Sequence, residues 1–526
     1  MNVEEQARSL NNFDIAVTFV TQYRTIEQRN KELQSQLDWL KRQVFGEKSE
    51  KRFDIPASQL ALGELGEVTK EAVTETQVAS HSRKQSTPKE EAEVVRFDES
   101  VPTETIVLLP PEVKDLVEGQ DYEVIGVKET VRLAQLPAAY VILRYVRPVI
   151  KLLDQLLAVP APPPVLPQSR SIADVSLLAG LVVDKFQFHL PLYRQHQRMK
   201  AAGINLSRSL LTNLVQDTAE LLAPLYRALE RSVLDSRILM VDETPIKAGV
   251  EHGEHRMKKG WFWPVYGEKD EIVFIFRESR GKKEIDKILS HWNPPDQGNP
   301  ERILLTDGLE AYASYAEKTE SLTHAQCWVH TRRNFIEAAE VEPELTTELL
   351  ELIGALYAVE AECNQLEDPS KILQQRGLRS RPLVELIFER LRQLSTSRVM
   401  LGDTLFTKAV NYALRRETQL KVFLEEPLLP MDTNALERQI RPIPLGRKNW
   451  LFCWTEIGAI YTGIIQSLIC SCKLQGVNPF TYLVDVMLRL SSQPDTDLNS
   501  LIPRQWKLLH QDNPWRSDLV RNHAAR

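Results

Sequence analysis

The sequence predicts an α/β protein whose core domain of mixed strands and helices is interrupted by an all-helical insertion. Three observations predict this fold class. Two apolar runs, residues 238–241 and 303–306, have the length of buried strands, and each is followed by an acid. Residues 336–425 follow a helical pattern almost without interruption. Ahead of the core, a heptad pattern, a β-like segment and a helical segment succeed one another.

Length and charge limit the classes of protein to consider. The 526 residues leave room for about three or four domains of ~150 residues each. The formal net charge is −7, so a nucleic-acid-binding protein of this composition must concentrate its basic residues locally. The N-terminus lacks the basic-then-apolar pattern of a signal peptide. The uncharged stretch 457–472 is predicted to be a buried helix, because it is too short and too polar for a membrane span.

Cysteine usage favours a reducing compartment. All the cysteines lie in the C-terminal half of the chain, and they are too few for a disulfide framework. They are Cys327, Cys363, Cys453, Cys470 and Cys472. We therefore expect a cytoplasmic protein.

The N-terminal region is predicted to contain a coiled coil, a linker and a small β-like module. Within residues 1–53, heptads at 16–45 place leucines at d positions and Asn30 at an a position, which favours a parallel two-stranded coil. The alternative is an amphipathic helix that packs on its own domain. Residues 54–96 have the polar composition of a flexible linker, and residues 97–158 show strand patterns. We expect a homodimer or higher oligomer formed through the heptads.

Residues 159–232 read as a proline-rich spacer followed by a helical domain. A helix, a glycine-containing turn and a second helix capped by Ser207 follow one another there. This segment is either a helix-turn-helix that reads DNA or a helical hairpin that only packs. The core domain is predicted in two parts, 233–335 and 426–490, and residues 491–526 form a C-terminal tail.

Three carboxylates occupy positions that strand and helix ends would bring together. Asp242 follows the run ILMV, Asp307 follows ILLT, and Glu437 opens the helical turn LERQI. Strands are predicted at 237–242, 260–266, 271–278 and 302–306, which makes the last of them the fourth. A ribonuclease-H-like site has one acid on its first strand, one on its fourth and one on a later helix. The pattern therefore predicts a ribonuclease-H-like catalytic domain, although each acid alone could also end a strand or cap a helix.

Carboxylates in this arrangement predict a divalent metal site. Mg²⁺ and Mn²⁺ prefer oxygen ligands, and two such ions about 3.5–4 Å apart can act on one phosphodiester bond. We expect two Mg²⁺ or Mn²⁺ ions per active site. Glu243 and Asp432 are alternative ligands. Asp432 is expected to cap a helix, and Glu243 would point away from Asp242 if the strand continued, because side chains alternate along a strand.

Basic residues close to the acids are predicted to contact DNA. One set flanks Glu437 in the sequence and comprises Arg438, Arg441, Arg447 and Lys448. A second set, His330, Arg332 and Arg333, lies in the segment CWVHTRRNF. Arginine and lysine neutralise phosphates, whereas the alternative is an ordinary solvated helix face.

Several long motifs resemble those of the insertion sequence 66 family of transposases, which have a DDE-type catalytic core. The motifs are MVDETPIK, LLTDGLEAY, CWVHTRRNF and TNALERQIRPIPLGRKNWLF, and the likeness runs from about residue 19 to 490. The resemblance implies that Asp242, Asp307 and Glu437 are the catalytic triad.

The resemblance also implies an activity and its partners. A DDE-type transposase cleaves DNA at the ends of its element and transfers the 3′-hydroxyl strand into target DNA. The expected partners are the terminal inverted repeats, the target DNA and accessory proteins of the same element, in a bacterial cytoplasm and on the nucleoid when bound. Two alternatives are a catalytically inactive, transposase-derived DNA-binding regulator and a structure-directed nuclease on the same fold.

The sequence departs from the family at one module. Family members usually carry a small zinc-binding module with paired cysteines after the coil. Here no cysteine precedes Cys327, so a thiolate zinc site cannot form in residues 97–158 and no zinc is expected. Cys327 and His330 alone are two ligands and do not make a site.

Overall fold

The structure is a computed structural model in which most of the chain after residue 95 is described. The described residues are 96–524, except 111–112, 114–115, 137–138, 153–157, 161–170, 251–256, 293–301, 397–401, 451–452, 454 and 494. Residues 96–350 and 359–524 belong to one compact unit. The predicted coil at 16–45 and all but the last residue of the predicted linker lie outside the described residues.

The described chain is a mixed α/β protein, as predicted. The strands are β1 (Arg96–Phe97), β2 (Thr103–Val107), β3 (Tyr122–Leu136), β4 (Ala139–Leu152), β5 (Ala158–Pro160), β6 (Ile204–Asn205), β7 (Ile238–Val241), β8 (Thr244–Val250), β9 (Met257–Gly267), β10 (Glu271–Arg277), β11 (Arg302–Thr306) and β12 (Leu322–Gln326).

The helices fall before, within and after the core strands. The first group is α1 (Val175–Phe186), α2 (Leu192–Ala201), α3 (Arg208–Leu234), α4 (Lys282–Leu289), α5 (Glu310–Ala316) and α6 (Trp328–Ala338). The helical region that follows contains α7 (Pro343–Cys363), α8 (Pro369–Gln375), a π-helical turn (Arg376–Ser380), α9 (Arg381–Ser395), α10 (Leu405–Leu414), α11 (Glu417–Lys421) and a 3₁₀ turn (Val422–Leu424). The last group is α12 (Asn434–Ile440), α13 (Pro442–Trp450), α14 (Glu456–Leu474), α15 (Pro479–Ser492), α16 (Leu498–Leu501), α17 (Pro503–His510) and α18 (Asp518–Ala524).

The β-like segment forms a small sheet of its own. β2 pairs in parallel with β4, and β4 pairs antiparallel with β3 and β5. Leu133, Leu143 and Ile150 are fully buried, whereas Ile125 and Val127 are more than half exposed. Apolar packing on one face therefore holds this sheet, and the strands lie where the sequence patterns predicted them.

The core sheet places β7 at its centre. The strand order is β10-β9-β7-β11-β12, and β8 pairs with β9 outside this path. β7 runs parallel to β11 and antiparallel to β9, while β11 runs parallel to β12. Because β7 and β11 are parallel neighbours, their carboxyl ends meet at the same edge of the sheet. The acids that follow these two strands are thereby brought together.

Strand β8 was not predicted from the sequence. Its segment TPIKAGV contains Pro245 and Gly249, which are typical of turns and of strand edges. β8 pairs with β9 and its register shifts between Lys247 and Val250. Proline lacks the N–H group that a strand with neighbours on both sides would donate. Among the described strands β8 pairs with β9 alone, so Pro245 can be accommodated there.

Helix α14 covers the edge of the core sheet. Ser467 and Ser471 accept hydrogen bonds from the backbone N–H groups of Phe274 (2.8 Å) and Ile272 (3.0 Å) in β10. A Cβ at Gly463 would lie 2.5 Å from the carbonyl oxygen of Phe274, so glycine is required for this close approach. α14 is long and apolar enough to cross a membrane, yet 67% of that stretch is buried inside the protein. The prediction of a buried helix is confirmed.

The predicted helical hairpin is present and packs against the core. Leu210 donates its N–H to Ser207 Oγ (3.1 Å) at the start of α3, and Gly203 in the turn has φ +78°. α3 is 27 residues long and buries Leu211, Leu222 and many other residues along its length. The helices thus pack as the hairpin interpretation requires, and a DNA-reading role for them stays a prediction.

A buried arginine, paired with a glutamate of α7, joins the helical region to the segment that leads into α12. Arg376 Nη2 lies 2.7 Å from Glu360 Oε2, with only 3% and 5% of the two side chains exposed. Arg376 also donates hydrogen bonds to the carbonyl oxygens of Phe423, Glu426 and Leu429. Because these carbonyls belong to the chain just before α12, Arg376 fixes the approach to Glu437.

We expect Arg376→Leu to reduce the free energy of unfolding by about 3–5 kcal/mol, because Glu360 would remain buried without its partner. The matched control is Arg379→Leu, which removes an arginine whose partner Glu362 is 53% exposed. That change should cost at most about 1 kcal/mol. Urea unfolding followed by circular dichroism measures both, and equal losses would show that burial of the Arg376 pair has no special weight.

Candidate active site

Three carboxylates converge at the edge of the core sheet where β7 and β11 end. Asp242 directly follows β7, and Asp307 directly follows β11. One carboxylate oxygen from each of Asp242, Glu243 and Asp307 lies within 4.8 Å of the other two. We call these three residues the acid cluster. The structure therefore brings together the two strand acids that the sequence singled out and adds Glu243 to them.

Glu243 joins the cluster because β7 ends at Val241. The Glu243 N–H donates to Asp242 Oδ1 (2.7 Å), which bends the chain between β7 and β8. Glu243 was expected to point away from Asp242 only if the strand continued. Because the strand ends at Val241, this expectation does not apply. Tyr312 donates its hydroxyl to Glu243 Oε2 (2.8 Å), and Arg280 pairs with Oε1. Only 1% of the Glu243 side chain is exposed, so these partners hold a buried carboxylate.

Glu437 lies in the first turn of α12, next to the basic residues of α6. Glu437 Oε1 lies 3.9 Å from His330 Nε2, and Oε2 lies 3.6 Å from Arg333 Nη2. Within the described residues, Glu437 Oε1 is buried and has no hydrogen-bond partner. Its charge reaches the acid cluster, since it contributes to the raised pKa of Asp242. The third predicted acid thus borders the cluster, outside the three oxygens that lie within 4.8 Å of one another.

The acids destabilise one another's charged forms. Burial raises the pKa of Asp242 to about 7, and the carboxylates of Glu243, Asp307 and Glu437 add to the rise. The pKa of Glu243 is also raised, by burial first and by Asp307 second. Burial lowers the pKa of His330, although nearby acids oppose this change. Carboxylates that are buried together favour a bound proton or a bound cation.

The donor set fits a hard divalent cation. The acid cluster offers only carboxylate oxygens, and these are the ligands that Mg²⁺ and Mn²⁺ prefer. The buried, unpartnered Oε1 of Glu437 is a further oxygen donor beside it. Among the described residues, the acid cluster is the one group of three or more acidic, histidine or cysteine side chains close enough to hold a metal ion. All five cysteines are buried free thiols.

The predicted DNA contacts differ in their surroundings. Arg332, Arg438, Arg441 and Lys448 are exposed, and Arg333 is 51% exposed although it pairs with Glu437. Arg447 donates from Nη1 to the carbonyl oxygen of Pro245 (2.5 Å). Arg447 therefore ties α13 to β8, whereas the exposed residues leave their charges available to a ligand.

Residues of the helical region support the loop that carries Asp307. Arg416 Nη2 donates to the carbonyl oxygen of Gly308 (3.0 Å). A Cβ at Gly308 would lie 2.3 Å from the Tyr412 hydroxyl, so this ring packs directly on the loop. Sequence reasoning missed Arg416 and Tyr412, and also Arg280 and Tyr312 beside Glu243. Their partners lie 37 to 108 positions away in the chain, so no local pattern marks them.

Comparison with protein families supplies a match over most of the chain. The family described as Transposase IS66 family matches residues 170–460, which is more than half of the 526 residues. The IS66 C-terminal element matches residues 467–504. A third family, described as Transposase C of IS166 homeodomain, matches residues 32–106.

Similar proteins occur in Sinorhizobium fredii, where they are called uncharacterized. The protein y4jD is 31% identical over 366 residues, which cover 66% of this chain and 69% of y4jD. The protein y4hP is 27% identical over 508 residues, which cover 90% of this chain and 88% of y4hP.

We expect Asp242→Asn to stabilise the metal-free protein above neutral pH. The pKa of Asp242 is raised from 3.8 to about 7 in the folded protein, so the folded state favours the protonated carboxyl. The contribution of this protonated group to stability is fully present below about pH 4 and is lost as the pH rises through 7. At about pH 8 the variant should melt a few degrees above the wild type, and the difference should vanish near pH 4.

If Mg²⁺ binds the acid cluster, it should raise the melting temperature of the wild type more than that of Asp242→Asn, because a ligand of the folded state stabilises it and the amide is a poorer ligand than the carboxylate. Calorimetry with and without Mg²⁺ measures both effects. A melting difference that does not depend on pH would contradict the pKa shift.

Proposed function

This chain belongs to the IS66 family of transposases, and we propose that it cleaves DNA at the ends of its insertion sequence and joins the freed 3′-hydroxyl to target DNA. One observation carries this proposal. Asp242 and Asp307 leave the ends of parallel neighbouring strands and meet in a cluster of carboxylates, beside a third acid in the first turn of α12. This arrangement suits phosphodiester chemistry assisted by divalent cations.

We propose that the core sheet is ribonuclease-H-like. Its order is β10-β9-β7-β11-β12, in which β7 is central, β9 and β10 follow antiparallel on one side, and β11 and β12 lie parallel on the other, while β8 is an additional strand paired with β9. The helices between α6 and α12 then correspond to the insertion predicted at 336–425. The domain boundaries derived from the sequence belong to the same proposal.

The residues of the site would divide the work as follows. Asp242, Asp307 and Glu437 would hold two Mg²⁺ or Mn²⁺ ions, which supply charge stabilisation for the attacking and leaving oxygens. Tyr312 and Arg280 hold Glu243, whose carboxylate would be a further oxygen ligand next to Asp242 and Asp307.

Groups at the border of the site would position the substrate. His330, whose lowered pKa favours the neutral ring, and Arg333 face Glu437 and would hold the phosphate of the bond to be cut. Arg416 and Tyr412 keep the Asp307 loop in place. The predicted self-association through residues 16–45, the accessory proteins of the element and a cytoplasmic, nucleoid-associated location complete this proposal.

We expect Asp242→Asn, Asp307→Asn and Glu437→Gln each to abolish strand cleavage while DNA binding persists. An amide keeps the shape of the acid but loses the charge that binds the cation. The matched control is Asp432→Asn, because Asp432 already accepts hydrogen bonds from Asn434 N (2.9 Å) and Nδ2 (2.7 Å) in the turn before α12.

Mg²⁺-dependent nicking of a labelled element end measures cleavage by these variants. Near wild-type nicking by any of the three would remove that residue from the triad. Loss of nicking in Asp432→Asn together with its retention in Glu437→Gln would move the third role to Asp432. Nicking without any strand transfer by the wild type would favour the nuclease alternative.

We expect Arg332→Ala/Lys448→Ala to flatten the salt dependence of DNA binding. Each phosphate contact releases counterions, so the slope of log affinity against log salt should fall by roughly 0.9 per lost contact. Fluorescence anisotropy with a duplex measures the slope. The matched control is Lys371→Ala/Lys128→Ala, which removes two exposed lysines on α8 and β3, elements that contribute no residue to the acid cluster. Equal slopes in both double variants would place the DNA elsewhere.

A further inference from the structure

A small cavity beside α12 is lined by basic and amide side chains together with four apolar residues. Its volume is about 170 Å³, and three parts of the fold enclose it. The turn after α1 contributes Gln187 and His189, the end of α12 and the start of α13 contribute Arg438 and Arg441, and α14 contributes Gln466 and Lys473. We call this space the basic cavity.

The charges around the basic cavity are unbalanced. Among the described residues, none of those that line it is acidic. Within the described part of the chain, the side chains of Arg438, Arg441 and Lys473 form no ion pair, whereas Arg280, Arg333, Arg376 and Arg489 all do. Three like charges around one small space repel one another, and a bound anion would relieve this repulsion.

The polar groups of the cavity add hydrogen-bonding capacity. Gln187 Oε1 is buried and has no hydrogen-bond partner among the described residues. The two ends of an amide can be exchanged by rotation, so Gln187 can turn its NH₂ group to a ligand. Burial and the neighbouring Lys473 lower the pKa of His189, which favours a neutral ring with one N–H donor.

The turn that carries His189 adopts an uncommon backbone conformation. His189 has φ +57°, in the left-handed region that residues other than glycine rarely occupy. Such positions cluster at sites where the strained conformation serves a ligand. Here the conformation places the imidazole at the cavity lined by Arg438 and Arg441.

We infer that the basic cavity binds a phosphodiester group of the DNA backbone, at a site separate from the acid cluster. The shared chemistry is that of a tetrahedral oxyanion, held by two guanidinium groups, an ammonium group and N–H donors. The DNA source is favoured because Arg438 follows Glu437 directly on α12, so one helix joins the acid to the cavity. This inference rests on the proposed function.

The test is the salt dependence of DNA binding by the full chain carrying Arg441→Ala/Lys473→Ala. One lost phosphate contact should lower the slope of log affinity against log salt by roughly 0.9, and binding at low salt should weaken severalfold. A duplex of arbitrary sequence is a sufficient probe, because phosphate contacts do not depend on sequence. The matched control is again Lys371→Ala/Lys128→Ala, and circular dichroism checks that both variants fold.

Each of the other outcomes contradicts either the DNA contact at the basic cavity or the proposed function itself. A slope equal to that of the control rejects the cavity as a DNA contact. If inorganic phosphate also raises the melting temperature of the wild type but not of Arg441→Ala/Lys473→Ala, the site binds free phosphate. If the wild type cleaves DNA but Arg441→Ala/Lys473→Ala leaves the slope of log affinity against log salt unchanged, the role of the basic cavity is rejected and the proposed function stands. A wild type that neither binds nor cleaves DNA rejects the proposed function and, with it, this inference.

Discussion

Mutual repulsion among buried carboxylates is the constraint around which this structure is organised. Asp242, Glu243 and Asp307 offer oxygens within 4.8 Å of one another, and burial removes most of the water that would separate their charges. No single element could hold such groups together. The core sheet fixes Asp242 and Asp307 through the buried strands β7 and β11, and Tyr312 and Arg280 hold Glu243 by hydrogen bonding and charge.

The sheet that carries these acids is itself fixed by α14. An edge strand exposes unpaired N–H groups, which elsewhere invite pairing with another chain. Here two serines of α14 accept from β10, and Gly463 lets the helix approach the strand closely. The same helix lines the basic cavity through Gln466 and Lys473. One side of α14 therefore covers the edge strand β10, and Lys473 of the same helix contributes a positive charge to the basic cavity.

The sequence predicted the parts of this site that follow a local period. Buried strands are apolar along their whole length, so β7 and β11 were recognisable, and parallel neighbours bring Asp242 and Asp307 together. β8 was not predicted, because Pro245 and Gly249 interrupt the alternation of apolar and polar residues that indicates a strand. The position of Glu243 depends on where β7 ends, and the sequence pattern does not show that Glu243 N–H donates to the Asp242 side chain directly after that end. Arg376, Tyr412 and Arg416 act on carbonyls and loops far away in the chain, and such contacts leave no trace in a local pattern.

The long separation between Asp307 and Glu437 has a consequence for the protein during its synthesis. The ribosome must add 437 − 307 = 130 residues after the second acid before the third exists. At about 5–20 residues per second this takes on the order of ten seconds, during which the residues of α7 to α11 are added. Arg376 can dock the segment before α12 only when Phe423 to Leu429 have been made. A nascent or prematurely terminated chain therefore carries Asp242 and Asp307 but not Glu437, and the three acids coexist only after the helical region has been translated.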